Sequence, residues 1–200
     1  MNRLTTEEKH AALLQMADEL LKQERFIIEA NAKAQRPSVC NAMETLLVHK
    51  SYAKWHLHSL LEQIRAHNIE LRGCERTQAL HTSVVPTLEV DYATEYNDYI
   101  LNVRIVDSLD AALEHIARYG TMHSEGIVTE NAQHAGRFLQ EVDAAAVYHN
   151  ASTRFTDGFE FGFGAESSIS TQKLHARGPM GLPTLTSSKY RIYGTGQIRS

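Results

Sequence analysis

Tyr99-Ile100-Leu101-Asn102-Val103-Arg104-Ile105-Val106, followed by Ser108 and a stretch that ends at Gly120, decides the fold. The first run is rich in β-branched and apolar side chains and reads as a strand. The Ser108 hydroxyl can accept from backbone N–H groups in the first turn of a helix running through Tyr119. Gly120 suits the position just past that helix. Strand-then-helix units lie on both sides. Toward the N-terminus, Thr45-Leu46-Leu47-Val48-His49 is a short strand. Ala53, Leu57, Leu60, Leu61 and Ile64 then recur at helical spacing over 51–66, and Ile69-Glu70-Leu71-Arg72 alternates like a strand. Residues 73–98 read as a loop with short strands. Toward the C-terminus, Gly126-Ile127-Val128-Thr129 is a strand, 131–141 a helix and Ala144-Ala145-Ala146-Val147-Tyr148 a strand. Strands and helices alternating from 45 to 149 predict an α/β fold with a mostly parallel sheet.

Beyond Asn150 the composition turns to Gly-, Ser- and Thr-rich loops, with a last strand expected at Lys189-Tyr190-Arg191-Ile192-Tyr193. At the other end, Thr5-x-x-Glu8 is a capping box. Leu13, Leu14, Met16, Ala17, Leu20, Leu21, Ile27 and Ile28 follow at helical spacing, which predicts an amphipathic helix over 6–31. Pro37 ends any helix just before it.

The chain has 200 residues, 42% hydrophobic and 22% charged, with formal net charge −4. A chain of this length buries roughly 70% of its unfolded surface and needs no disulfide to hold a core. The acidic balance gives no footprint for nucleic acid. No apolar run approaches the ~18 residues of a membrane span. Met1 to Glu8 contains no apolar signal core, so a reduced, cytoplasmic setting is expected. The two cysteines form no CxxC, and the 11 histidines form no HExxH, so no metal site is expected. No GxGxxG occurs.

Cys40 stands where an irregular loop meets an α/β unit, a place that favours functional groups. It reads either as a nucleophilic thiol or as a buried structural cysteine. Cys74, after Gly73, reads mainly as structural, and nothing in the sequence places a particular histidine beside Cys40. Asn150-Ala151-Ser152-Thr153-Arg154 follows a predicted parallel strand at its carboxyl end, where open α/β sheets bind ligands. Arg154 can clamp a carboxylate, with Ser152 and Thr153 supplying hydroxyls. The alternative is a polar turn held by its own hydroxyl–backbone bonds. Phe159-Glu160-Phe161-Gly162-Phe163-Gly164 reads as a packed turn. Lys173 to Pro179, around His175, is a cationic cluster suited to an anion or an interface.

Gln35-Arg36-Pro37-Ser38-Val39-Cys40-Asn41-Ala42-Met43-Glu44-Thr45-Leu46-Leu47-Val48-His49 resembles the nucleophile segment of the gamma-glutamyl phosphate reductase (glutamate-5-semialdehyde dehydrogenase) family, within the aldehyde dehydrogenase superfamily. Glu70 to Cys74, Val147 to Glu166 and Ser170 to Leu182 resemble the same family, and the match runs almost unbroken from 35 to 199. The resemblance implies an aldehyde-dehydrogenase-type catalytic domain over 35–165, an oligomerisation segment over 166–200 that includes the C-terminal strand, and a remnant N-terminal helix over 1–34. It implies reduction of L-glutamyl 5-phosphate by NADPH to glutamate 5-semialdehyde, in proline synthesis, through a thioester on Cys40. It assigns catalysis to Cys40 and Asn41 and cofactor contacts to Glu95 and Phe161. The substrate end is expected at Asn150, Ser152, Thr153 and Arg154, with Arg154 chosen for the α-carboxylate on its chemistry. It also implies a small-molecule substrate, a homo-oligomer, glutamate 5-kinase as a partner, and neither nucleic acid nor membrane.

One departure outweighs the rest. Residues 4–33 resemble the family's N-terminal helix, which in the family is separated from the nucleophile segment by a whole dinucleotide-binding region. Here the two are joined directly at Glu29-Ala30-Asn31-Ala32-Lys33. The expectation is a chain lacking most of its cofactor domain. Three readings follow: a reductase, a non-catalytic oligomerisation or interaction module, or a thiol that still takes an acyl group without NADPH.

Overall fold

The computed structural model describes residues 36–199. The expected helix over 6–31 lies outside the described residues.

Four strands form the principal sheet: β1 (Thr45–His49), β2 (Glu70–Gly73), β3 (Val85–Pro86) and β4 (Ile100–Val106), in the order β1-β4-β2-β3 and all parallel. Thr45 pairs with Asn102 and His49 with Val106. Helix α1 (Lys50–Arg65) returns the chain from β1 to β2. Its buried Ala53, Leu57, Leu60, Leu61 and Ile64 pack on Val48, Leu101, Val103 and Ile105. Alternate residues of β4 therefore face one apolar layer, as the period of two requires. Leu57 is fully buried in that layer. Leu57→Ala is expected to cost about 2–5 kcal/mol, read by denaturant unfolding.

The opposite face of β4 is polar where it matters. Asn102 is fully buried, donates to Asp91 O at 2.9 Å and accepts from Tyr96 Oη at 3.1 Å. These bonds fix the segment Glu89–Ala93, a short 3-10 turn, over the sheet. Arg72 reinforces it by pairing with Asp91 at 2.9 Å. Burial pushes the Asp91 carboxyl up, but the Leu88 N–H, Tyr96 and Arg72 together hold it below the usual range.

Two further units follow. Helix α3 (Leu109–Tyr119), capped by Ser108 accepting from Ala111 N, leads to β5 (Ser124–Ile127). Helix α4 (Ala132–Glu141), capped by Asn131, leads to β6 (Ala146–His149), which pairs parallel with β5 as a separate two-stranded sheet. His115, on α3, is 7% exposed and sits edge-on to Tyr92 at 4.8 Å. Burial and the nearby Arg104 push its pKa down to about 4. The unfolded chain would protonate this ring near its ordinary 6.5 while the fold keeps it neutral. Stability is therefore expected to fall as pH drops below about 6.5 toward 4, and His115→Phe is expected to reduce that slope in thermal melts.

Several boundaries differ from the sequence reading. The strand expected at 126–129 lies at Ser124–Ile127, because Thr129 is taken by Asn150, whose Oδ1 accepts from Thr129 N at 2.9 Å. In the 73–98 loop the two-residue β3 is one of the short strands expected there, while the helical turn α2 (Glu75–Gln78) is an addition. Tight packing explains Gly73: an added Cβ would meet Val84 Cγ1 at 2.6 Å and Thr77 Cβ at 2.8 Å. Gly73→Ala is expected to destabilise by about 1–3 kcal/mol, read as a lower unfolding midpoint. The loops after 150 contain an antiparallel pair, β7 (Ser168–Ser170) with β8 (Gly178–Met180). The strand expected at 189–193 does not form within the described residues. A strand exists only as one side of a ladder; here Tyr190, Ile192 and Tyr193 lie exposed with no strand beside them.

Candidate active site

Cys40 lies on the turn that leads into β1, with its thiol exposed. The next residue, Asn41, is buried. The segment after β6 grips it. Asn41 Nδ2 donates to Thr156 O at 3.2 Å and to Arg154 O at 3.5 Å, Thr153 Oγ1 donates to Asn41 O at 2.8 Å, and Arg154 Nη1 reaches Asn41 Oδ1 at 3.4 Å. Thr156, fully buried, bonds Tyr148 Oη at 2.8 Å and anchors the grip to β6. Two loops far apart in sequence are thus locked at the carboxyl end of a parallel strand, and the thiol rides on the lock.

Cys40 also lines a cavity of about 450 Å³. Glu95, His115, His123, Glu125 and Thr153 share its wall with apolar side chains of β1 and α3. Burial raises the Cys40 thiol above its ordinary value. The Glu166 carboxylate adds to this and Glu95 contributes less, against bonds from the backbone N–H groups of Cys40 and Asn41. Burial pushes Glu125 up to about 7. It pushes His123 down, and His123 Nε2 has no hydrogen-bond partner.

The structure brings together Cys40, Asn41, Ser152, Thr153 and Arg154, with Glu95 in the same cavity as the thiol. The roles expected for them separate by what their atoms are doing. The Asn41 amide is spent on backbone carbonyls. Ser152 Oγ accepts from Arg154 N at 3.2 Å. The Asn150 amide is spent on Thr129, with Asn150 itself in the left-handed region at φ 50°. Phe161 lies outside the cavity wall, half-exposed and edge-to-face with Phe163 at 6.2 Å. The sequence reading missed Glu166, His123 and Glu125, since no spacing ties them to Cys40.

The chain is similar to known proteins. The chain is 62% identical over 176 residues to the gamma-glutamyl phosphate reductase of Moorella thermoacetica. It is a homologue of gamma-glutamyl phosphate reductase. The match covers 88% of this chain but only 42% of that relative. The Enterococcus faecalis reductase is 57% identical over 189 residues, 94% of this chain and 43% of the relative. The chain therefore spans about two fifths of the length of the reductases it matches. The crystal structure of the Thermotoga maritima reductase superposes with TM-score 0.82 at 51% identity, covering 89% of this chain and 43% of that one. A propionaldehyde dehydrogenase from Clostridium phytofermentans, 16% identical, superposes with TM-score 0.57 over 84% of this chain and 46% of its own, and shares the fold. The fold is of the aldehyde-dehydrogenase type. No family model matches the chain.

The described residues lack the glycine-rich phosphate turn common in nicotinamide dinucleotide sites. A dinucleotide pyrophosphate is commonly seated on a glycine-rich turn opening a helix. The helices of at least eight residues among the described residues open instead on His49, Ser108 and Asn131, with no glycine-rich turn. Among the described residues, no group of three His, Cys, Asp or Glu side chains is placed to hold a metal ion, and no helix is long and apolar enough to cross a membrane.

Proposed function

We propose that this chain is the acyl-accepting portion of a gamma-glutamyl phosphate reductase. The observation that carries this is the exposed Cys40 thiol on a loop locked by Asn41, Thr153 and Arg154, in a chain 62% identical to a named reductase. The Cys40 thiolate attacks the acyl carbon of L-glutamyl 5-phosphate. The carbon–sulfur bond forms, the carbon–oxygen bond to phosphate breaks, and phosphate leaves with the bonding pair. The thiol proton goes to solvent. A thiolate suits this step because it attacks readily and later leaves readily. The backbone N–H groups of Cys40 and Asn41, which bond to the sulfur, serve as donors to the oxyanion. Arg154, which keeps N–H groups beyond its contact with Asn41, holds the α-carboxylate, with Ser152 and Thr153 beside it.

The full reaction of the family, NADPH-dependent reduction to L-glutamate 5-semialdehyde in proline synthesis, requires a dinucleotide site that the described residues do not supply. Titration of NADPH into the chain, followed by fluorescence, is expected to show no saturable binding. Saturable binding would restore the reductase reading for this chain alone. In the cell the partner would be glutamate 5-kinase, whose acyl phosphate this site takes, and the setting the cytoplasm.

A second reading draws on the C-terminal segment. Tyr190, Ile192, Tyr193 and Ile198 are each at least 86% exposed. Apolar residues laid bare on an extended segment are suited to pairing with another copy of the chain. Under this reading the chain is a homo-oligomerisation module. Sedimentation of the chain alone, and of a variant with Tyr190, Ile192 and Tyr193 replaced by serine, separates the two: loss of a dimer in the variant supports pairing, and a monomer in both removes it.

A further inference from the structure

We propose that the cavity beside Cys40 binds an organic ammonium with an apolar body and delivers its amine to the acyl group on the sulfur, so that the chain acylates amines. This rests on the acyl-acceptor reading and adds a second substrate to it. Glu44, Glu95 and Glu125 share the cavity wall with Cys40, and no lysine or arginine among the described residues does. Neither Glu95 nor Glu125 has an ion-pair partner among the described residues, whereas Asp91, Asp107, Asp110 and Asp143 each meet a guanidinium. The charge this wall lacks is positive. A cationic ligand supplies it, and an anionic one is repelled.

The rest of the wall sets the ligand's shape. Met43, Leu109, Ile116, Ile127 and Phe138 line the same cavity, so a hydrocarbon body is buried while its charged end is held. The start of β5 carries the polar end. His123 extends the ladder to β6, its carbonyl accepting from Ala146 N at 3.1 Å, so its side chain and that of Glu125, two residues on, leave the same face. Gly120, also in the wall, lies against the carboxyl: an added Cβ there would meet Glu125 Oε1 at 3.0 Å. His123 is 9% exposed, bonds Ser124 Oγ through Nδ1 and leaves Nε2 without a partner. An ammonium brings three N–H donors to a wall that offers two carboxylates and an imidazole nitrogen.

Arg154, which reaches Asn41, stands outside this wall. An acyl donor held by Arg154 and an amine held in the cavity therefore meet at Cys40. Glu125, pushed by burial to about 7, is suited to exchanging protons near neutrality. It takes one proton from the ammonium. The amine nitrogen attacks the thioester carbon, the carbon–nitrogen bond forms, the carbon–sulfur bond breaks, and sulfur leaves with the bonding pair. A second proton passes from nitrogen to sulfur, Glu125 releases its own to solvent, and an amide departs.

The test loads Cys40 with acetyl phosphate, removes the excess and follows the acetyl group by intact mass while benzylamine is added. Loss of the acetyl group is expected to saturate with benzylamine, and N-benzylacetamide to accumulate. Benzyltrimethylammonium, a cation with no nucleophilic nitrogen, is expected to inhibit, and neutral benzyl alcohol is not. Half-saturation is expected to rise about tenfold in Glu125→Gln and in Glu95→Gln, the scale of one lost charge-assisted bond. Thermal melts monitor folding of both variants, and Glu95 is exposed. Loss that stays linear in benzylamine, or equal inhibition by the cation and the alcohol, overturns the proposal and leaves the acyl-acceptor reading standing. So does unchanged half-saturation in the folded variants. A Cys40 that takes no acetyl group from acetyl phosphate overturns that reading and the proposal with it.

Discussion

Cys40→Ala is expected to abolish acyl transfer entirely. Incubated with an acyl phosphate such as acetyl phosphate, the unmodified chain should gain the mass of one acyl group and release phosphate. The alanine variant should do neither. The reason is chemical rather than structural: Cys40 is exposed, so its removal costs little packing, while no other thiol among the described residues is held on the Asn41 lock. Cys74, the other thiol, is half-buried and bonded to Thr77 Oγ1 at 3.3 Å. Equal phosphate release from the variant would remove Cys40 from the mechanism. The same thiol should show its surroundings in a pH profile. Because burial, Glu166 and Glu95 raise it, alkylation should keep climbing past the ordinary thiol range. Glu166→Gln should move that curve toward lower pH.

Asn41→Ala is expected to produce the second large effect, on stability and on chemistry together. The side chain donates to two backbone carbonyls and accepts from Arg154. Truncation leaves the buried Thr156 carbonyl short of a donor and frees the loop that bears the thiol. A loss of about 1–3 kcal/mol is expected in denaturant unfolding, at the scale of an unsatisfied buried polar group. Acylation of Cys40 should slow as well, since the N–H groups at 40 and 41 no longer hold one orientation. Asn41→Asp separates the two effects: it keeps the acceptor toward Arg154 and loses the donor to Thr156. Stability unchanged in Asn41→Ala would mean that the two loops are held by other contacts.

The architecture was readable where burial imposes a period. In β4 the alternation of Leu101, Val103 and Ile105 against Asn102 and Arg104 states both the strand and the face it turns to α1. In α1 the spacing of Leu57, Leu60, Leu61 and Ile64 does the same. Elements of two to four residues, such as β3 and α2, are too short to carry a period. β5 slipped by two residues because its apolar end is the part that Asn150 captures. The 189–193 segment has strand chemistry, but pairing is a property of two segments, and only one is present.

The site was readable in its loop residues and silent about its charges. Cys40, Thr153 and Arg154 stand out because reactive and donor groups cluster at a strand's end. Asn150 stood out for the same reason, yet its amide closes β5 onto β6. Glu166 offered no comparable signal. It packs against Gly158 because the segment after that glycine folds back, and no sequence interval encodes that return.

The thiol environment also bears on survival in an oxidising cell. Peroxide attacks the thiolate, and an exposed cysteine in that form drifts through sulfenic to irreversible sulfinic acid. Burial and the carboxylates of Glu166 and Glu95 push the Cys40 thiol above its ordinary value, which lowers the thiolate share further. The resting chain thus presents peroxide with a poor target.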